Sequence, residues 1–307
     1  MSKENNQVDS GRSVKVDAVL RSTDGSSAKL IQITQKEGFA TIETGRYEVK
    51  GESIVCLSIQ IGCGMGCDFC RSGEPYEYYP GRSQRVLRNL SPQEIVDQAV
   101  NGFDMVPAPL ASIGKVLSYM GMGEPFANLP AVKESVLMLG MKYPQSRATI
   151  STIGIDLLSI KKLADEIASG NYPIPIKLHV SLHSPFDERR HQLIPHALPI
   201  AATVDAAAYF SDTTLTDVKL NYVLMAGFNN SDADVKKLSE LLRNRPGLVL
   251  KISDLNSSKA ELIVPATDAD LFEAKLNELG IKTERFSSKG LDIQAGCGQL
   301  VKGKIAR

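Results

Sequence analysis

Nowhere in the 307 residues does an apolar run approach the roughly 20 that a membrane-spanning helix needs. The polar start, MSKENNQVDSGRSVKVD, also lacks the apolar core of a secretory signal. Residues 1–17 are therefore expected to be a flexible end, and the chain to work in the cytoplasm without a membrane partner. Charge of one sign is missing too: 35 Lys plus Arg balance 35 Asp plus Glu, so net charge alone does not mark a nucleic-acid binder. There is no internal repeat. Cysteine is scarce and odd in number, and five in a chain without a secretory signal argue against a disulfide scaffold and for metal or redox chemistry.

What is present is alternation. Short β-rich runs at 54–61, 115–120, 148–152, 176–182, 218–225 and 248–253 are separated by helical patterns such as SPQEIVDQAVNGF, LPAVKESVLMLGM, DLLSIKKLADEIAS and DADVKKLSELLRN. A further helix–strand pair, DADLFEAKLNELG then IKTERFSS, follows near the end. Repeated units of this kind predict an α/β fold, a partial (β/α)6 barrel rather than a closed eight-fold one, with chemistry where strands end and loops begin. Ahead of it, LIQITQKEGFATIETGRYEV reads as a small β-hairpin turning at Glu37-Gly38. That divides the chain into a flexible end at 1–17, a small β extension at 18–53, and the barrel with its C-terminal cysteine segment at 54–307. The Gly-, Pro- and Tyr-rich stretch SGEPYEYYPGRSQR after Cys70 is expected to be a long irregular loop.

Three cysteines follow the first core strand as Cys63-Gly-Met-Gly-Cys67-Asp-Phe-Cys70. A zinc knuckle wants four ligands and no His lies in this loop, whereas three thiolates on a [4Fe–4S] cubane leave one iron open for the amino and carboxylate groups of S-adenosylmethionine (SAM). The C-x3-C-x2-C spacing resembles that of the radical-SAM superfamily, and Phe69 is placed to pack against the adenine of SAM. Gly121-Met122-Gly123-Glu124-Pro125 follows the second strand, where glycines permit close backbone approach and Glu124 offers a carboxylate to an ammonium. An ordinary Gly-rich turn is the alternative. Ser151 and Ser181-Leu182-His183 end the third and fourth strands, as cofactor ligands or as helix caps. Cys56, on the first strand, faces the interior or is a small buried hydrophobe. Cys297, between Gly296 and Gly298, reads as an accessible, mobile thiol.

In family order the chain carries RSTDGSSAKL, IET, CLSIQIGCGMGCDFC, RNLSPQEIVDQ, GMGEPFAN, STIGI, VSLHSPFDERRHQLIP, NNSDAD and DIQAGCGQL. Over roughly residues 20–300 it thereby resembles the radical-SAM adenine C-methyltransferases, which methylate carbon 2 of an adenine in 23S rRNA or tRNA, and their carbon-8 resistance relatives. The resemblance implies that Cys297 accepts a methyl group from one SAM. A second SAM is cleaved at the cluster and the methyl carbon is joined to the base. Cys56 then helps resolve the covalent adduct, leaving a Cys56–Cys297 disulfide. It implies Glu43 as a base; Gly123, Glu124, Ser151, Ser181, Leu182, His183 and Asn256 as SAM ligands; Cys63, Cys67 and Cys70 on the cluster; and flavodoxin or ferredoxin as electron donor.

The chain departs from that family in three places. Only about twenty residues precede the matching region, so the family's helical accessory domain is expected to be absent. The loop after Cys70 is longer and brings in Tyr76, Tyr78 and Tyr79, which either stack on a nucleobase or pack over the barrel mouth. The stretch after the sixth strand reads Ser253-Asp254-Leu255-Asn256. Arg82, Arg85, Arg88, Lys302, Lys304 and Arg307 are candidates for phosphate contacts or simply a solvated face. Two substrates stay open at this point: an adenine in RNA, or a nucleoside or other small heteroaromatic. A non-enzymatic binding module would leave the Cys56 and Cys297 pair without a purpose.

Overall fold

The computed structural model describes residues 11–35, 40–79, 82–105, 114–256 and 266–301. In chain order the elements begin with β1 (Val14–Arg21), β2 (Ser27–Thr34), β3 (Thr41–Val49), β4 (Glu52–Cys56) and β5 (Gln60–Gly62). β6 (Tyr76–Tyr79), β7 (Arg82–Gln84), β8 (Val86–Asn89), α1 (Pro92–Asp104), β9 (Gly114–Tyr119), α2 (Leu129–Lys142), β10 (Arg147–Thr152) and α3 (Leu157–Ala168) follow. The chain continues through β11 (Ile176–Ser181), α4 (Asp187–Leu193), α5 (Ile200–Thr214), β12 (Val218–Leu224), α6 (Asp232–Leu242), β13 (Leu248–Asp254), α7 (Ala269–Glu278) and β14 (Thr283–Phe286). Ten strands form one sheet in the order β1-β2-β3-β4-β9-β10-β11-β12-β13-β14. From β4 to β14 every pairing is parallel, while β1 to β4 pair antiparallel. Among the described residues the sheet does not close on itself, which agrees with a partial barrel.

Alternation along each strand separates two faces. Val55, Leu117, Ile150, Leu178, Val180, Leu220, Tyr222, Leu250 and Ile252 are buried and join Ile95, Val132, Ile160, Val204, Leu238 and Phe272 of the helices in one core. The apolar stripes of the helices cover that face, which is why βα units fold this way. The other face is concave and polar. Cys56, Ser118, Thr149, Lys177 and, one step along, Ser151, His179, Lys219 are register partners across it.

Local signals explain the helix starts. Ser91 caps α1 in a reciprocal box with Glu94, and Pro92 occupies the first helical position, where its missing N–H costs nothing. Ser231 and Asp234 make the same box on α6, and Asp156 caps α3 through the Ser159 N–H. Both boxes satisfy donors that burial would otherwise orphan.

Several expectations are corrected. The expected strand at 54–61 breaks: β4 stops at Cys56, Leu57 to Ile59 are bonded by the chain at Ser118 and Met122, and β5 leaves to pair with β8 in a separate ribbon. Regular structure begins at Val14, inside the stretch expected to be flexible, because Val14 is fully buried and Arg12 to Val14 bond to Asn101 and Asp97 of α1. β2 and β3 are the expected hairpin, but they extend the main sheet through β4 rather than forming a separate layer. Their turn at Glu37-Gly38 lies outside the described residues. The stretch after Cys70 is not irregular, since β6 and β7 pair antiparallel there. α4 and α5, between the fourth and fifth parallel strands, were not expected.

Candidate active site

The loop after β5 carries Cys63, Cys67 and Cys70. It is fixed from several sides: Cys63 N–H donates to the Arg85 carbonyl at 3.0 Å, Asp68 N–H to the Leu193 carbonyl of α4 at 3.0 Å, and Cys70 N–H to the Cys67 carbonyl at 3.1 Å. Burial pushes the Cys63 thiol up to about 12 and the Cys67 thiol well above its ordinary value. The charges of Cys70 and Cys63 add to the effect at Cys67, so the three sulfurs share one space. A tetrahedral zinc holds its sulfurs within about 4 Å of one another, whereas the thiolates of a cubane bind different irons. Three thiols in a loop with no fourth Cys and no His match a cubane with one open iron rather than a four-ligand zinc knuckle.

Glu124 lies beside them. Its carboxylate is buried, accepting from Phe126 N–H at 3.1 Å and Ile153 N–H at 3.0 Å, and burial raises it to about 7. An oriented, strained anion of this kind suits an arriving ammonium group. The preceding glycines have a packing reason that the strand-end position did not reveal. A Cβ on Gly121 would stand 2.6 Å from the Leu57 backbone, and on Gly123, with φ of +100°, 2.7 Å from Gln60. The loop is thus pressed onto the chain leading into the cysteines. Ser151 Oγ is buried with no hydrogen-bond partner among the described residues, an unfilled valence that a ligand would satisfy.

Ser181, Leu182 and His183 end β11. Leu182 and His183 N–H both donate to the Asn221 carbonyl, at 3.0 and 3.3 Å. His183 takes φ of +55°, a left-handed conformation that costs a non-glycine residue of order 1–3 kcal/mol. It is held there by Val223 N–H donating to Nδ1 at 3.0 Å and Asn229 Nδ2 donating to its carbonyl at 2.7 Å. Burial, and then the Arg190 charge, lower its pKa to about 3, so the ring is neutral and carries its proton on Nε2. Phe69 of the cysteine loop packs edge-on against this ring, centroids 4.8 Å apart.

Cys297 is exposed, as expected, but its segment is not loose. Tyr47 Oη bonds to the Ala295 carbonyl, Arg71 N–H donates to the Gly298 carbonyl at 2.8 Å, and Ser72 Oγ to the Leu300 carbonyl at 2.6 Å. Val301 N–H donates to Glu43 Oε2 at 3.0 Å, and Glu43 is buried in an ion pair with Lys29 at 3.2 Å. Both ends of the segment thus rest on β3 and its middle on the residues that follow Cys70. Asn256 Nδ2 donates to Ser288 Oγ at 2.5 Å and reaches the Cys297 carbonyl at 3.4 Å. Cys56 is buried on the concave face, opposite Gly45 and Ser118. Burial and then the Cys297 charge push its thiol up to about 12, while Cys297 itself is raised by its surroundings and opposed by Lys251 and Ser288. Both are free thiols, so the implied disulfide is not formed in this structure.

Four residues of this region escaped sequence reasoning. Tyr47 shares the concave face with Glu43 and lies over Gly45, where a Cβ would stand 2.1 Å from its hydroxyl. Arg190 is almost fully buried and bonds four carbonyls. Lys251 and Ser288 flank Cys297. Only Tyr47 left a signal, its even spacing from Glu43 along a strand. In contrast, Arg88 is committed to Glu94, at 2.7 and 2.9 Å, and Arg85 to the Gly73 carbonyl at 2.7 Å, so both serve the fold rather than a phosphate. Lys302, Lys304 and Arg307 lie outside the described residues, as do the side chains of Tyr76, Tyr78, Tyr79 and Arg82.

Comparison with known proteins adds three findings. Residues 57–239 match the radical SAM superfamily. The chain is 35% identical over 274 residues to the probable dual-specificity RNA methyltransferase RlmN of Thermotoga neapolitana, covering 87% of this chain and 74% of that one. It is 32% identical over 296 residues to the protein of the same name in Dictyoglomus turgidum, covering 94% and 80%. Among solved structures, a radical SAM methyltransferase from Sphaerobacter thermophilus superposes with a TM-score of 0.82 at 30% identity, covering 94% of this chain and 81% of that one.

Proposed function

Because the chain belongs to the radical SAM superfamily, and within it to the RlmN family of methyltransferases, we propose that it methylates an adenine carbon in RNA through an S-methyl-Cys297 intermediate that Cys56 resolves. A [4Fe–4S] cluster and SAM are the cofactors of this family; bound, they supply the methyl group and the radical chemistry that an unreactive amidine carbon demands. Cys63, Cys67 and Cys70 hold the cluster. Glu124 receives the SAM ammonium, and Gly123, Ser151, Ser181, Leu182, His183 and Asn256 line the rest of that site. Flavodoxin or ferredoxin supplies the electron.

The observation that carries the reading is the double anchorage of the Cys297 segment, to the cysteine loop through Arg71 and Ser72 and to β3 through Tyr47 and Glu43. It holds one accessible thiol between the cluster ligands and a second, buried thiol, Cys56. Such fixed placement is what converts a transfer between two partners into an intramolecular event. Cys297 carries the methyl group as a thioether. Glu43, paired with Lys29, takes the proton from the base carbon once that carbon is joined to the methylene, and Cys56 attacks the Cys297 sulfur, breaking its bond to the methylene, which takes up a proton and becomes the methyl group of the product. That last step leaves a Cys56–Cys297 disulfide, which a thiol reductant returns to the reduced pair.

The test is anaerobic turnover of RNA from a methylation-deficient host with methyl-deuterated SAM, followed by nucleoside mass spectrometry. Deuterated methyladenosine from the wild type, none from Cys297→Ala, and a protein–RNA adduct trapped in Cys56→Ala are expected. Methylated product from Cys297→Ala would overturn the mechanism, and methylation of free nucleosides but not RNA would replace the substrate.

A further inference from the structure

The concave face is lined unlike a packed barrel. Closed barrels fill their interior with branched apolar side chains. Here the inward positions of β11, β12 and β13 read Lys177, His179, Ser181; Lys219, Asn221, Val223; and Val249, Lys251, Ser253, so seven of nine are polar, while their outward neighbours are Leu, Val, Ile and Tyr, with Asp254 at the end of β13. The register makes neighbours of them: His179 lies beside Lys219, and Lys251 beside both Asn221 and Glu284. Charged groups on this scale belong against water or a ligand rather than in a core.

The charges of the wall do not balance. Its carboxylates are taken: Glu43 by Lys29 at 3.2 Å, Glu52 by the Arg147 guanidinium, and Glu284 by Lys219. Among the described residues no carboxylate comes within ion-pair distance of Lys177 or Lys251. Lys251 is half-buried with its ammonium 4.0 Å from the Phe286 ring centre; burial lowers its pKa, the charges of Cys297 and Glu284 act against that at longer range, and the charge of Lys219 adds to it. Between these ammoniums stands His179, whose Nδ1 is buried without a partner among the described residues. Register puts Lys219 beside His179, Lys177 two residues before it on the same face of β11, and Lys251 one strand beyond Lys219, and burial with the charges of these three lysines drives the imidazole neutral.

We propose that Lys177 and Lys251, with His179 between them, form a binding site for a phosphate group of the substrate on the inner wall of the barrel. The inference rests on the reading of Cys297 as the methyl carrier, because Lys251 is the cation whose field reaches that thiol. A phosphate bound there sits on the sheet face that carries Cys56, so the site selects a nucleotide or oligonucleotide over a bare nucleoside. Neutral His179 offers one ring N–H to the phosphate while the ammoniums neutralise it. This localises the positive field that the balanced net charge of the chain hides.

The experiment is equilibrium binding to the cluster-loaded enzyme of adenosine, its 3′- and 5′-monophosphates, and a heptaribonucleotide with one central adenosine. The oligonucleotide is used with native or methylphosphonate linkages beside that adenosine. Wild type is compared with Lys177→Met, Lys251→Met and Lys251→Arg, and SAM affinity is measured in parallel. Neutralising the linkage is expected to weaken wild-type binding about tenfold and each Met variant less than twofold, with Lys251→Arg near wild type. The site is overturned by wild-type discrimination below twofold, by Met variants that keep it, or by a Lys251→Met loss confined to SAM, which would assign the charge to the cofactor carboxylate. Mass spectrometry of Cys297 in the same proteins separates the two readings. An unmethylated Cys297 with phosphate discrimination intact ends the methyl-carrier reading alone; a methylated Cys297 without discrimination ends the phosphate site alone.

Discussion

Replacing Arg190 with Met should destabilise the protein by about 5 kcal/mol and weaken SAM binding with it. The guanidinium donates to the carbonyls of Leu182 at 3.2 Å, Leu198 at 2.5 Å, Ile153 at 2.7 Å and Ser181 at 3.0 Å. It thereby ties the ends of β10 and β11 to the turn after α4. The Ile153 and Ser181 carbonyls, losing the guanidinium as donor, cost about 2.5 kcal/mol each, while those of Leu182 and Leu198 keep Ser184 N–H and Thr203 Oγ1 and each lose a bond to a charged donor worth about 1.5 kcal/mol, so the four amount to about 8 kcal/mol. Against this stands the cost of burying the cation, visible in a pKa brought down to about 10 by desolvation, or about 3 kcal/mol. Met fills much the same volume without the charge and recovers that part. In a chain of this size the difference lowers the melting temperature by about 10 °C at about 2 °C per kcal/mol. Lys, reaching one or two of the four carbonyls, should recover less than half. The assay is a urea midpoint with m held constant, alongside SAM binding by equilibrium dialysis. A Met variant within about 1 kcal/mol of wild type would refute the view that these carbonyls depend on Arg190.

Other consequences follow from single contacts. Gly45→Ala puts a methyl where the Tyr47 hydroxyl lies, so it should free Ala295 and raise hydrogen exchange across residues 290–301; unchanged exchange there would show that Tyr47 does not clamp the segment. Lys29→Met leaves the buried Glu43 carboxylate with Val301 N–H as its one hydrogen-bond donor among the described residues and should cost about 3–5 kcal/mol, with Glu43→Gln in the same chain restoring most of it. Additive losses in the double variant would contradict the pairing. For pH, His183 is depressed to about 3 and His179 well below its usual value, so only the unfolded chain takes up these protons as pH falls from 6.5. Stability should therefore drop toward acid by up to about 1.4 kcal/mol per pH unit for each group. Glu124, raised to about 7, acts in the opposite sense between pH 7 and 4.5, because the folded chain holds its proton longer. In apoprotein, Glu124→Gln should steepen the acid loss between pH 6.5 and 5 by about 1 kcal/mol per unit, and parallel profiles would contradict the assignment.

Much of this architecture was legible because burial writes itself into alternation. IKLHVSL and VKLNYVLM announce strands with one apolar face, and Ser91-Pro92 with Glu94 announces a helix start. The other face of those strands was equally visible as Lys177, His179, Lys219 and Lys251, but only register turns scattered charges into a wall. α5 went unseen because IAATVDAAAYF is apolar on nearly all sides and has no side-chain cap. The break after Cys56 went unseen because LSIQI continues the apolar run; what ends β4 is the contact with Gly121, from a segment sixty-five residues on. The cysteine loop was legible because its ligand spacing is local. Arg190 and Tyr47 were not, since their partners are backbone carbonyls, which carry no sequence mark.

The measurement that bears most directly on the central claim is peptide mass spectrometry of Cys297 after anaerobic incubation of cluster-loaded protein with methyl-deuterated SAM, in the absence of RNA. A labelled methyl thioether on Cys297 and none on Cys56 is expected, lost when RNA and reductant are added. An enzyme that consumes SAM and methylates RNA while Cys297 stays an unlabelled thiol throughout would contradict it.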